Sequence, residues 1–242
     1  MNDYFPAIGI LRTCFREKFG VPRQPLIVSE ARGVLKLNPD PRFRDALNHL
    51  DGFSHVWIVF VFHKARNREW RPFIEPPKVK APKRVGVFAS RSPHRPNAIG
   101  FSAVKLDRID LAAVGGIEIH VSGVDILDGS PVLDIKPYLP YADAIPQANA
   151  GWAAETIERH PVAFSTESLA TLDSDPHLKA LIEQMLEWDP RPTSQRRAAP
   201  LGDPESEGLK FAFRVLDVDV HWQIRNSSLY VHQIRTSPAV IS

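Results

Sequence analysis

From Phe5 to about Tyr141, apolar positions fall in short alternating runs, broken by one stretch of helical spacing. Ile8 and Ile10 alternate with Gly9 and Leu11, which predicts a short strand. Asp40-Pro41 reads as an N-cap followed by proline at the first helical position. Phe43, Ala46, Leu47 and Leu50 then recur at i, i+3, i+4 and i+7, a helix that Gly52 can end. The apolar run over 56–62 is β-branched and aromatic and too short for a helix, so it predicts a strand buried on both faces. Further strands are expected at 85–89, 101–106 and 117–121. In the last of these, Ile117, Ile119 and Val121 alternate with Glu118 and His120. Many short strands with few helices between them favour a closed or nearly closed antiparallel barrel over βαβ layers.

The pattern changes over 142–152, where apolar periodicity fades and a linker is expected. Beyond it, Ser174-Asp175-Pro176 opens a helix with Leu178, Leu181, Ile182, Met185 and Leu186 on one face, stopped by Pro190 and Pro192. Residues 193–208 read as polar loop. Val218, Val220, Trp222 and Ile224 then alternate with polar residues and pair through a turn at 226–228 with a strand over 229–234. The expectation is a mainly β chain: a barrel domain over 1–145 and a small α+β domain over 146–242.

Composition narrows the class. The 242 residues carry 30 Lys+Arg against 28 Asp+Glu, 43% hydrophobic and 24% charged, which fits a globular protein. The single cysteine, Cys14, cannot form an internal disulfide, and no apolar run approaches the ~20 residues that cross a bilayer. The expectation is a soluble, cytoplasmic protein without a membrane partner. The 22 prolines exceed the 13 glycines, so many connections should be stiff.

Near-neutral charge hides a basic stretch. Lys64, Arg66, Arg68, Arg71, Lys78, Lys80, Lys83, Arg84, Arg91 and Arg95 face only Glu69 and Glu75, with Trp70 and Phe73 offering faces for base stacking. The next segment, Arg91-Ser92-Pro93-His94-Arg95-Pro96-Asn97, concentrates donors in a stiff loop ahead of a strand. In the segment 125–138, Asp128-Gly129 signals a turn with two carboxylates six residues apart, Asp128 and Asp134, suited to holding hydroxyl or ammonium groups or taking a proton. No glycine-rich dinucleotide motif, phosphate loop or serine elbow is present, and His49, His55, His63, His94 and His120 lack metal-ligand spacing, so no metal is expected. Spacing alone reaches a basic barrel with a donor-rich loop.

These segments also carry a resemblance. Glu17-Lys18-Phe19-Gly20-Val21-Pro22-Arg23-Gln24-Pro25, Phe53-Ser54-His55-Val56-Trp57, Phe62-His63, Arg71-Pro72 and Gly86-Val87-Phe88-Ala89-Ser90-Arg91-Ser92 occur in order. Arg95-Pro96-Asn97, Asp128-Gly129, Asp134-Ile135-Lys136-Pro137-Tyr138 and Asp189-Pro190-Arg191-Pro192 follow. The chain resembles the TrmO-type (TsaA-like) tRNA N6-adenine methyltransferases. Ala98, where the family usually has a second proline, and Ser130, for the commoner threonine, are departures.

The resemblance implies a non-Rossmann β-barrel enzyme that uses S-adenosyl-L-methionine, works as a homodimer and methylates N6-threonylcarbamoyladenosine at position 37 of tRNA, beside the anticodon. Carried onto this sequence, it places the cofactor at Pro22, Arg23, Gln24, His63, Lys64 and Arg91, and at the turn formed by Asp125, Ile126, Leu127, Asp128 and Gly129. The acceptor side is assigned to Arg95, Asn97, Lys136, Tyr138, Lys78, Lys80, Lys83, Asp189 and Arg191. The acceptor nitrogen must lose a proton, and Asp134 or His94 is expected to take it. Two rival readings are an RNA-binding barrel without catalysis and a methyltransferase acting on a small molecule or a protein.

Overall fold

The computed structural model describes residues 5–65, 69–76, 82–154 and 157–236. Chain order runs β1 (Gly9–Thr13), β2 (Arg32–Leu37), α1 (Arg42–Ala46), β3 (His55–Val61), β4 (Phe73–Ile74), β5 (Val85–Gly86), β6 (Ile99–Asp110), β7 (Glu118–Ser122), β8 (Ser130–Pro137) and α2 (Pro140–Asp143). It continues through β9 (Val162–Phe164), α3 (Thr166–Leu172), α4 (Pro176–Glu187), α5 (Thr193–Ala198), β10 (Lys210–Val215), β11 (Val218–Arg225) and β12 (Ser228–Thr236).

Six strands close into a barrel in the order β1-β2-β7-β6-β3-β8, and every pairing is antiparallel. Alternation decides what fills it. Leu11, Leu35, Val56, Ile58, Phe60, Val104, Ile119, Val121 and Val132 point inward and are buried. The run over 56–62 is therefore covered fully on one face only. Trp57, Val59 and Val61 look outward and are half-covered, Trp57 by Phe101 and Tyr138 at centroid distances of 5.4 and 5.7 Å. A closed antiparallel barrel has a single inner face, so an unbroken apolar run need not mean burial on both sides.

The predicted helix at 41–52 shrinks to α1, because it buries none of its residues, and His49 in a left-handed conformation (φ 65) ends the helical path before a 3-10 turn at Leu50–Gly52. Asp40 accepts from the Arg42 backbone amide, and Pro41 takes the N-cap position. At 85–89 only Val85–Gly86 is strand, followed by a 3-10 turn. The polar loop expected at 193–208 contains α5 and a 3-10 turn at Pro204–Ser206.

The C-terminal part is a sheet in the order β10-β11-β12-β9, with β9 parallel to β12. Helix α4, capped by the Asp175 carboxylate on the Leu178 amide, buries Leu181, Ile182, Met185 and Leu186 as its spacing predicts. These side chains join the core formed by Val220, Trp222, Ile224 and Val231, which is continuous with the barrel core. Backbone groups tie the two parts together: Leu216 donates to the Cys14 carbonyl (2.9 Å), and Trp188 Nε1 donates to the Ile27 carbonyl (2.8 Å). Burial raises the Cys14 thiol to about 12, so this cysteine stays protonated and inert. Among the described residues, no helix is long and apolar enough to cross a membrane.

Candidate functional site

One barrel end opens into a cleft of about 430 Å³ built from three segments distant in sequence: 21–24, 88–95 and 99–102, with Asp125 entering from the loop after β7. Strand register explains its floor. Phe60 stands opposite Gly100 and Ile58 opposite Ser102 in the β3–β6 pair. A Cβ on Gly100 would meet Phe60 at 2.5 Å and Phe62 at 2.8 Å, so glycine is what lets these two rings pack edge to face, 5.0 Å apart, beneath the opening. The rim carries Phe88 and Phe101, 75% and 55% exposed.

Polar groups converge on these apolar walls. Ser102 Oγ donates to Asp125 Oδ1 at 2.6 Å. Burial pushes the Asp125 carboxyl up to about 6; the Ser102 bond, the backbone and the Arg91 charge oppose that rise. Arg91 Nη1 donates to Gln24 Oε1 (2.5 Å), and its guanidinium lies 5.8 Å from the Phe101 ring centre. Arg95 Nη1 donates to the Ser90 carbonyl (2.7 Å), which stiffens the loop that carries Arg91. Arg23 Nη2 donates to the carbonyls of Arg191 (3.0 Å) and Asp189 (3.2 Å). Burial and the nearby Arg196 charge lower Arg23 to about 10, and it remains cationic at neutral pH.

A second cluster sits farther along the same loop. Asp128 accepts from the Thr13 amide (2.9 Å) and from Arg16 Nη1 (2.8 Å), with Arg12 Nη1 at 3.5 Å. Gly129 takes a positive φ of 76, which lets the chain turn into β8, and its amide donates to the Leu11 carbonyl. The Ile126 carbonyl accepts from Thr13 Oγ1, and the Leu127 carbonyl from Ser130 Oγ. His63 Nδ1 lies 3.2 Å from Ser130 Oγ, and burial with the adjacent Lys64 charge depresses its pKa, so its neutral form is favoured. Lys64 is exposed beside it.

The proposed cofactor residues thus divide. Pro22, Arg23, Gln24, Arg91 and Asp125 line the cleft; His63, Lys64, Ile126, Leu127, Asp128 and Gly129 do not. On the acceptor side Arg95 lines the cleft, while Asn97 is exposed just outside it with its carbonyl accepting from the Ile99 amide. Neither proposed proton acceptor lines the cleft. Asp134 is on the barrel's outer face, paired with Lys136 at 3.2 Å, and the His94 backbone is fixed by the Ser92 hydroxyl and the Arg71 amide. Tyr138 packs on Trp57 and His55. Lys83 is exposed; Lys78 and Lys80 fall outside the described residues.

Asp189 and Arg191 differ most from expectation. Each is only 3% exposed. Arg191 grips the Asp189 carboxylate with Nε (2.8 Å) and Nη2 (2.7 Å) and donates Nη1 to the Ala199 carbonyl (2.7 Å). The motif spends its charges on itself and turns two carbonyls toward Arg23, leaving no free cation for a phosphate. Sequence reading also missed Ser102. Its signal is parity: Ser102 shares the inward face of β6 with the buried Val104 and Leu106, an odd place for a hydroxyl without a partner. Trp152 was missed as well; its Nε1 donates to the Ala89 carbonyl (2.8 Å) and extends the cleft past Ala150 and Ile157.

Sequence and fold both match one family. A tRNA-methyltransferase O N-terminal domain model matches residues 10–144, and a TrmO C-terminal domain model matches residues 157–237. A protein of Pseudomonas aeruginosa named "Putative S-adenosylmethionine-dependent methyltransferase RcsF" is 41% identical over 229 residues, 92% of this chain and 93% of its own. The Escherichia coli K12 protein named "tRNA (adenine(37)-N6)-methyltransferase" is 38% identical over 232 residues, 94% of this chain and 95% of its own. A crystal structure of TrmO from Pseudomonas aeruginosa superposes with a TM-score of 0.74 at 37% identity, covering 98% of both chains.

Proposed function

The chain belongs to the tRNA-methyltransferase O family, and we propose that it transfers a methyl group from S-adenosyl-L-methionine to N6 of the adenine at tRNA position 37, with N6-threonylcarbamoyladenosine as the acceptor. The observation that carries this reading is the convergence of Arg23, Gln24, Arg91 and Asp125 on one aromatic-walled cleft.

The donor set suits the cofactor. A volume of about 430 Å³ is in the range of small-molecule sites, and apolar walls with a few fixed polar groups are their usual lining. When bound, S-adenosylmethionine supplies an electrophilic methyl group on a cationic sulfur. Arg23 and Arg91 are positioned to hold its α-carboxylate, and Gln24 keeps Arg91 in place. The turn at Asp128 and Gly129, with His63 and Lys64, is off the cleft wall, and its place in the cofactor site rests on the resemblance. Phe88 and Phe101 offer exposed faces for the acceptor base. Lys83 and Arg84, with Lys78 and Lys80, supply the charge that draws the anticodon stem-loop. Surplus arginine near Arg95 and Asn97 suits the second carboxylate, on the threonyl group. Residues 1–145 are taken as the catalytic domain and 146–242 as the part that completes the tRNA contact. We place the enzyme in the cytoplasm, acting as a homodimer, and sedimentation velocity would measure its assembly.

The chemistry asks for alignment more than activation. The N6 lone pair is delocalised into the purine and the carbonyl, so holding it in line with the methyl group supplies much of the rate. Incubating bulk tRNA with the protein and the cofactor, then measuring nucleosides by mass spectrometry, tests the reading. A new methyl group on threonylcarbamoyladenosine is the expected product. Methylation of unmodified adenosine alone would overturn the acceptor, and no change in any nucleoside would overturn the activity. A barrel that only binds RNA would show no thermal protection by the cofactor, whereas a ligand at 100 times its Kd adds about 2.7 kcal/mol.

A further inference from the structure

We infer that Asp125 is the group that takes the N6 proton during methyl transfer, with Ser102 as its positioning residue. This rests on the reading above and changes the part assigned to Asp125. Among the described residues lining the cleft, Asp125 is the one carboxylate; the other polar side chains there are Arg23, Gln24, Ser90, Arg91, Arg95 and Ser102. The groups expected from sequence to accept the proton, Asp134 and His94, are not on its wall.

Geometry fits the part. Ser102 Oγ holds Oδ1 at 2.6 Å, and Asp125 lines the cleft. No arginine hydrogen-bonds the carboxylate among the described residues, although Arg91 is near enough for its charge to act on it. A carboxylate held by a hydroxyl and its own backbone keeps more basicity than one gripped by a guanidinium. Burial pushes Asp125 up to about 6, which leaves it ionised at neutral pH yet a better base than an exposed aspartate. In the step, the N6 lone pair forms the N–C bond, the C–S bond breaks with its pair going to sulfur, and the N6 proton passes to Asp125 Oδ2. Asp125 then releases that proton to solvent.

Three measurements test it on the full chain. Carboxyl ¹³C NMR of the unliganded protein, with the resonance assigned by its loss in Asp125→Asn, should titrate near 6, and higher in Ser102→Ala. In Asp125→Asn, kcat on tRNA should fall about 100-fold or more while the cofactor Kd stays within a few-fold. In Ser102→Ala, which loses the bond that lowers the carboxyl, the acid limb of the pH–rate profile should move to higher pH, and Ser102→Thr should restore it. Wild-type turnover in Asp125→Asn would overturn the assignment, as would a more than tenfold weaker cofactor Kd with kcat retained, the mark of an ammonium ligand. A wild-type protein inactive on every tRNA would overturn the underlying reading too, so the two failures are distinguishable.

Discussion

Two carboxylates, the buried Asp189 whose backbone holds Arg23 and the half-buried Asp125 that shares a cleft with Arg23, are treated in opposite ways. Asp189, in the turn after α4, is gripped through both oxygens by Arg191 and is 3% exposed. Asp125, at the cleft, has one hydroxyl bond at 2.6 Å and a raised pKa. A bidentate ion pair closed in protein is out of a ligand's reach; what it does is hold a backbone turn. Here that turn has a left-handed Asp189 (φ 48) and offers two carbonyls to Arg23. A half-buried carboxylate without such a grip costs stability, as groups at functional sites often do. The difference separates a structural charge from a chemical one, although both motifs read alike in sequence.

Removing the grip should give the largest effect. Arg191→Ala leaves the Asp189 carboxylate buried and unpaired, a loss of about 3–5 kcal/mol. For a chain of this size that lowers Tm by on the order of 10 °C in a thermal melt. Arg23 loses its two carbonyl anchors at the same time, so calorimetry should also show weaker cofactor binding. Replacing the pair by neutral residues that tolerate the left-handed turn, Asp189→Asn with Arg191→Met, should recover part of the Tm but not the affinity.

The Asp125 effect is smaller and depends on pH. Its folded pKa of about 6 lies above the ordinary 3.8, so the neutral form is the one the fold favours. Its contribution to stability is full below about pH 4 and is lost as pH rises through about 6, a change of up to about 3 kcal/mol. Denaturant melts of the wild type should show that loss between pH 4 and 7, and Asp125→Asn should lack it. Smallest of all is Asp128, whose partners Arg16 and Arg12 are 46% and 59% exposed. Arg16→Ala should cost about 0.2–1 kcal/mol, and salt should erase the difference.

Much of this was legible in the chain. A short β-branched apolar run located β3, alternation located β7 and β11, and the lack of helices between strands pointed to the closed barrel. Arg91 stood out in a donor-rich loop, whereas Arg23, Gln24 and Asp125 entered through the family resemblance. Ser102 and Gly100 did not, since their meaning depends on which residue of β3 faces them, and register is set by closure of the whole sheet. The Asp189-Pro190-Arg191-Pro192 motif was assigned to the acceptor side through the resemblance; its burial follows from the carboxylate and the Ala199 carbonyl satisfying the guanidinium, which spacing does not reveal. Helix α5 was hidden for a related reason, since the six residues Thr193–Ala198 have no apolar stripe.

The contrast between the two carboxylates can be tested most directly on one preparation of Asp125→Asn at pH 8, melted and then assayed for methyl transfer to tRNA. The account predicts a variant that melts several degrees above wild type and turns over about 100-fold or more slowly. A variant that melts below wild type would contradict it, because Asp125 would then be a structural carboxylate like Asp189.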